Sequence, residues 1–80
     1  MKLLFYGRLA DVLGREMEID TPATCTIAQL RSQLVGEHCH ARELFDDKRV
    51  RACVAGKIVD NEYLARDSDV VEFLPPVSGG

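Results

Sequence analysis

The feature that most constrains this chain is a pair of nearly continuous apolar runs at its two ends, Leu3-Leu4-Phe5-Tyr6 and Val70-Val71-Glu72-Phe73-Leu74. A strand with one wet face alternates apolar and polar residues; a strand covered on both faces reads as an unbroken apolar run. Both runs therefore predict strands covered on both faces. The economical arrangement sets them side by side in the middle of one sheet, with a helix laid across it.

The segments between them supply the rest. Arg8 to Leu13 predicts a short helical turn stopped by Gly14. Arg15 to Asp20 alternates, with Met17 and Ile19 against Glu16, Glu18 and Asp20, as a half-buried strand does. After Thr21-Pro22, Thr26 is followed three residues later by Gln29, the pattern of a capping box at a helix start. Ile27, Leu30 and Leu34 then fall on one helical stripe, with Arg31, Ser32 and Gln33 away from it, and the helix should end near Gly36 to His38. Leu44 and Phe45 anchor a short helical segment. Val50 to Ala55 and Lys57 to Val59 read as strands turning at Gly56. Asp60 to Asp69 reads as a polar connection plugged by Tyr63 and Leu64, with a turn at Asp67-Ser68-Asp69. The order strand, strand, helix, then two or three strands is an α+β pattern with a mixed sheet.

At 80 residues the chain is a single domain. Such a chain buries roughly 60–65% of its surface, which leaves little room for a deep private active site. The net charge of −3 argues against a nucleic-acid footprint, which needs a basic patch. No stretch approaches the length of a membrane span, and the N-terminal run lacks the h-region and cleavage site of a signal peptide. Cys25, Cys39 and Cys53 are odd in number and widely spaced, with no C-x-x-C, which predicts reduced thiols in a cytoplasmic protein.

After Leu74 the chemistry changes. Pro75-Pro76 cannot donate ladder hydrogen bonds, so the strand stops there, and each proline holds the residue before it extended. This divides the chain into a body, 1–74, and an extended flexible arm, 75–80, long enough to reach about 20 Å from the sheet. Val77 is an apolar anchor, Ser78 a slim spacer, and Gly79-Gly80 have no side chains, so the end can pass through a channel too narrow for other residues. A stiff approach and a slim end suit a carboxylate that is drawn into another protein's active site. Phe73, Leu74, Pro75 and Pro76 are expected to form an apolar collar around the arm that docks on partners.

Other candidates are weaker. His38-Cys39-His40 has single-residue spacing, which rarely lets ligands converge on a tetrahedral ion, so no metal is expected. Lys48, Arg49 and Arg51 beside Asp46-Asp47 read as a solvated loop. Ser78 has no adjacent base.

With these residues in view, the chain resembles the molybdopterin synthase small subunit family, a ubiquitin-like group of sulfur carriers. Leu74-Pro75-Pro76-Val77-Ser78-Gly79-Gly80 is similar to its C-terminal signature and is the most specific part. Asp67-Ser68-Asp69-Val70-Val71-Glu72-Phe73 resembles its turn and last strand, and Phe5-Tyr6-Gly7-Arg8-Leu9-Ala10-Asp11-Val12-Leu13-Gly14 its opening. Val54-Ala55-Gly56 departs from a frequent Val-Asn pair, and Ser68 from the usual turn glycine. The resemblance implies a ubiquitin-like β-grasp with parallel first and last strands at the sheet's centre. It also implies a division of labour. An activating enzyme related to ubiquitin E1 enzymes, using ATP and Mg²⁺, would adenylate the Gly80 carboxylate. A sulfurtransferase persulfide would displace AMP to leave a thiocarboxylate. The large subunit, in a heterotetramer with the carrier, would then use that sulfur on cyclic pyranopterin monophosphate to make molybdopterin. The carrier itself would bind no cofactor, and the groups assisting the chemistry would be the partner's. The competing readings are a carrier for thiamin or tRNA thiolation, a ubiquitin-like protein modifier, and an interaction domain with an inert tail. The double proline favours molybdopterin over thiamin.

Overall fold

The computed structural model describes residues 1–76. The expectations placed on Val77, Ser78, Gly79 and Gly80 lie outside the described residues. The elements run β1 (Lys2–Phe5), α1 (Arg8–Leu13), β2 (Glu16–Glu18), β3 (Thr24–Thr26), α2 (Ile27–Glu37), a 3₁₀ turn (Cys39–Ala41), α3 (Arg42–Asp46), β4 (Arg51–Val54), β5 (Lys57–Val59), β6 (Leu64–Arg66) and β7 (Val70–Leu74). The main sheet has the order β2-β1-β7-β4-β5. Its two central strands, β1 and β7, are parallel, pairing Leu3 with Val71 and Phe5 with Phe73. The outer pairs, β1–β2, β4–β7 and β4–β5, are antiparallel. This is the ubiquitin-like β-grasp expected from the sequence.

Helix α2 starts where its capping box places it. Gln29 N donates to Thr26 Oγ1 at 3.1 Å and Thr26 N donates to Gln29 Oε1 at 2.8 Å. These bonds satisfy two of the backbone donors that a helix start leaves without partners. Ile27, Leu30 and Leu34 are fully buried on the sheet-facing stripe. Against them lie Leu3 and Phe5 of β1, Val71 and Phe73 of β7, and Ala52 and Val54 of β4. Each such large apolar side chain stabilises the fold by about 1.5–3 kcal/mol when removed from water. The chain's three phenylalanines meet in one cluster. Phe5 and Phe73 stack with ring centroids 5.9 Å apart, and Phe45 meets them edge-on at 6.4 and 5.4 Å.

Three sequence expectations are corrected. Tyr63 and Leu64 do not plug the late connection; they are 37% and 56% exposed, and Ala65 is fully buried instead. The reason is an unanticipated two-stranded sheet of β3 and β6, in which Cys25 pairs with Ala65 and Thr26 with Leu64. Pairing turns one residue of each short strand inward and its neighbours out. Arg31 does not fall away from the core; its Nη2 donates to the Val50 carbonyl at 2.8 Å, and its guanidinium lies 5.5 Å from the Phe73 ring centroid. Finally, β1 and β7 are covered on one face only. Their inward residues are buried, while Val70 is 40% exposed and Leu4 and Leu74 are half-buried on the other side.

The β4–β5 hairpin turns through two residues at positive φ, Ala55 at 52° and Gly56 at 79°. A two-residue turn of this hand matches the twist of the flanking strands but suits asparagine and glycine. Alanine held there costs about 1–2 kcal/mol.

Candidate functional site

The tail leaves the body at the end of β7, and the body holds that exit firmly. Phe73, the penultimate residue of the strand, has no exposed surface. It is braced from below by Phe5 and Phe45 and from the helix side by Arg31. The expectation that Phe73 belongs to a docking collar is therefore corrected. Its side chain points into the core because Leu74 points out, and residues adjacent on a strand face opposite ways. Leu74, Pro75 and Pro76 are half-buried.

Gly7 decides where the first proline sits. Its φ is +61°, and a Cβ built on it would lie 3.0 Å from Pro75 Cγ and 3.1 Å from Pro75 Cβ. Only glycine combines that backbone conformation with that approach. The β1–α1 junction thus seats the root of the tail. Beside it is a groove of about 440 Å³ lined by Leu9, Leu44, Val50, Pro75 and Pro76, with Arg8, Glu43, Asp47 and Arg49 at its polar edge. Asp47 accepts from Arg49 N at 2.9 Å, Nε at 3.1 Å and Nη2 at 3.0 Å. The Arg49 guanidinium holds the Asp47 carboxyl below the usual carboxylate range. Arg49 is thus engaged within its own loop, in keeping with the solvated-loop reading of the basic run.

The sheet face opposite α2 carries the second part of the site. Register places Glu16, Leu4, Glu72, Cys53 and Ile58 in one row across it. Leu74 lies beside Arg51 one row nearer the tail, and Tyr6 reaches across to donate its hydroxyl to Glu72 Oε2 at 2.6 Å. That bond holds the Tyr6 hydroxyl above its ordinary pKa, so the shared proton stays on the tyrosine. Tyr6 is 42% exposed, Ile58 54% and Val70 40%. With Leu4 and Leu74 they put apolar surface on this face, among the charged residues Lys2, Glu16, Glu72 and Arg51, and no element of the described chain covers it. Sequence reasoning found Leu74 but missed Tyr6, Ile58 and Gly7. For Tyr6 the sequence carried no signal, because an unbroken apolar run does not say which face is covered.

Among the described residues no polar or charged residue is buried, and no three His, Cys, Asp or Glu side chains converge on a metal position. Cys25 and Cys53 are buried and Cys39 is exposed, all three free. Burial pushes the Cys25 thiol pKa up, away from thiolate character. No helix among the described residues is long and apolar enough to cross a membrane.

The model of the ThiS family matches residues 3–80. The chain belongs to the ThiS family. It is 28% identical over 83 residues to the molybdopterin synthase sulfur carrier subunit of Escherichia coli K12, across 100% of this chain and 99% of that one. Among solved structures it is similar to a putative molybdopterin converting factor subunit 1 of Pyrococcus furiosus, with a TM-score of 0.79, 26% identity and 95% of each chain covered. SAMP1 of Haloferax volcanii gives a TM-score of 0.81 at 24% identity, over 99% of this chain and 97% of that one. A chain in a complex of subunits 1 and 2 of molybdopterin-converting factor from Helicobacter pylori gives 0.67 at 24% identity, over 99% and 96%. At these last two identities the likeness is one of fold.

Proposed function

We propose that this ThiS-family protein is the sulfur carrier subunit of a molybdopterin synthase, and that Gly80 is its working residue. The observation that carries the proposal is the family match through residue 80, joined to a body whose described part has exposed apolar side chains at the tail root and no fully buried polar or charged residue. Such a body can present a tail but cannot act on it, so the acid, base and oxyanion groups belong to partners. An adenylating enzyme would use ATP and Mg²⁺ to convert the Gly80 carboxylate to an acyl-adenylate, because a free carboxylate resists nucleophiles and AMP is a leaving group. A sulfurtransferase persulfide would displace AMP, and the resulting thiocarboxylate would deliver sulfur to cyclic pyranopterin monophosphate inside the large subunit. The residues from Pro75 onward act as the arm. Gly79 leaves the approach slim, Val77 and Ser78 guide it, and Leu74, Pro75 and Pro76, joined by Tyr6 and Ile58, dock the body on the partner in a heterotetramer. The Escherichia coli relative and the Pyrococcus furiosus neighbour support this choice of acceptor over thiamin or tRNA thiolation.

The test is the intact mass of the protein taken from its native cells. A species heavier by the difference between a sulfur and an oxygen atom, lost on deletion of Gly80, is the expected result. Unmodified mass alone, accompanied by larger covalent adducts on other proteins, would replace the carrier by a protein modifier.

A further inference from the structure

One acidic residue of this docking face has no ion pair among the described residues. Glu72 stands in its middle, between Leu4 on β1 and Cys53 on β4, with Ile58 beyond Cys53 and Leu74 two residues along its own strand. It is half-buried already. Among the described residues no cation makes an ion pair with it: Lys2 pairs with Glu16, Arg49 with Asp47, and the amino terminus with Glu18, while Arg51, beside Leu74 on the same face, is not paired with it. Its one hydrogen bond from the described chain comes from Tyr6. A carboxylate offers about four lone-pair positions, so one hydroxyl leaves most of them to water. Any partner that covers Tyr6, Ile58 and Leu74 also strips that water. An ionised carboxylate desolvated without a counter-charge costs several kcal/mol, enough to cancel the gain from the surrounding apolar contacts.

We infer that the surface docking on this sheet face carries one cationic side chain, arginine or lysine, set in an otherwise apolar patch and aimed at Glu72, with Tyr6 holding the carboxylate in place for it. The inference rests on the docking reading above and adds the chemistry of the partner. The fork of a guanidinium suits the site best, since it supplies parallel donors to both carboxylate oxygens while Tyr6 keeps its own bond to Oε2. The same charge acts as a selector. A wholly apolar surface is rejected by the cost of the stranded carboxylate, and an acidic one by repulsion.

The experiment measures binding of the full chain to the purified large subunit of molybdopterin synthase from the same organism, by calorimetry at two salt concentrations. Glu72→Gln keeps the shape and the apolar surround but removes the charge. It is expected to weaken binding by about 30-fold or more and to flatten the salt dependence. Glu72→Arg is expected to abolish binding, and Tyr6→Phe to weaken it less than Glu72→Gln does. Leu74→Glu serves as the control for the face itself. If Leu74→Glu disrupts binding while Glu72→Gln binds as tightly as the parent or tighter, the face docks but the cation does not exist, and the inference is overturned alone. If Leu74→Glu also leaves affinity unchanged, the docking reading beneath it is wrong as well.

Discussion

The two faces of the central sheet are built from the same two strands and differ in what covers them. On the inner face, Leu3, Phe5, Val71 and Phe73 have almost no exposed surface and pack on α2 and Phe45. On the outer face, Leu4, Tyr6, Val70 and Leu74 are equally apolar in type but remain half-buried or exposed. Inner-face residues lower the free energy of the folded chain, and outer-face residues keep their apolar area available for association. Phe73 and Leu74, adjacent in sequence, mark the boundary. One should govern stability and the other binding.

That separation can be broken experimentally. Phe73→Ala should have the largest effect on folding, about 3–5 kcal/mol by urea denaturation, since it leaves a cavity beneath two aromatic rings and the guanidinium of Arg31. A loss below about 1 kcal/mol would mean that the aromatic cluster is not the keystone described here. Leu74→Glu should leave stability within about 1 kcal/mol of the parent yet abolish measurable binding to the large subunit in calorimetry. A large loss in both assays would erase the distinction between the faces. Gly7→Ala tests the hinge between them. It should cost about 1–2 kcal/mol through its positive φ alone, and it should also slow sulfur transfer in a reconstituted synthase by displacing Pro75. Normal transfer by a destabilised Gly7→Ala protein would show that the seat of Pro75 does not aim the tail. Ala55→Asn, remote from both faces, should raise stability by about 0.5–1 kcal/mol by relieving an alanine at φ 52°. It should not alter binding.

A smaller sharpening comes from pH. The Asp47 carboxyl is held below the usual carboxylate range by Arg49. Its folded-state pKa is thus lower than its unfolded one, so its contribution is present above the unfolded value and is lost as pH falls through the folded value. Arg49→Ala should therefore narrow the stability difference between neutral and acid conditions, with Arg49 exposed, Asp47 half-buried and the effect slight.

What was legible in the sequence was carried by neighbours along the chain. Thr26 and Gln29 announced the start of α2, and Ile27, Leu30 and Leu34 announced its buried stripe. Met17 and Ile19 marked β2. β3 and β6 were hidden because a three-residue strand is too short to display a period, and Ala65 is too small to advertise a core position. Arg31 misled because a guanidinium over an aromatic ring looks polar in sequence and half-buried in space. Gly7 was visible as part of an opening motif, but its contact with Pro75 joins opposite ends of the chain.

By itself the sequence determined that two apolar strands occupy the middle of a mixed sheet, that α2 lies across it, and that the last strand stops before Pro75-Pro76. These follow from local periodicity, backbone restriction and side-chain size, each a property of a few consecutive residues. Only the tertiary structure decided which apolar residues form the core and which form the outer field, that Glu72 lies in the middle of that field, and that Gly7 seats Pro75. An unbroken apolar run carries no alternation from which to read a face. The face is fixed by register with a strand far away in sequence, and by a single layer of helix that covers one side of the sheet and leaves the other open.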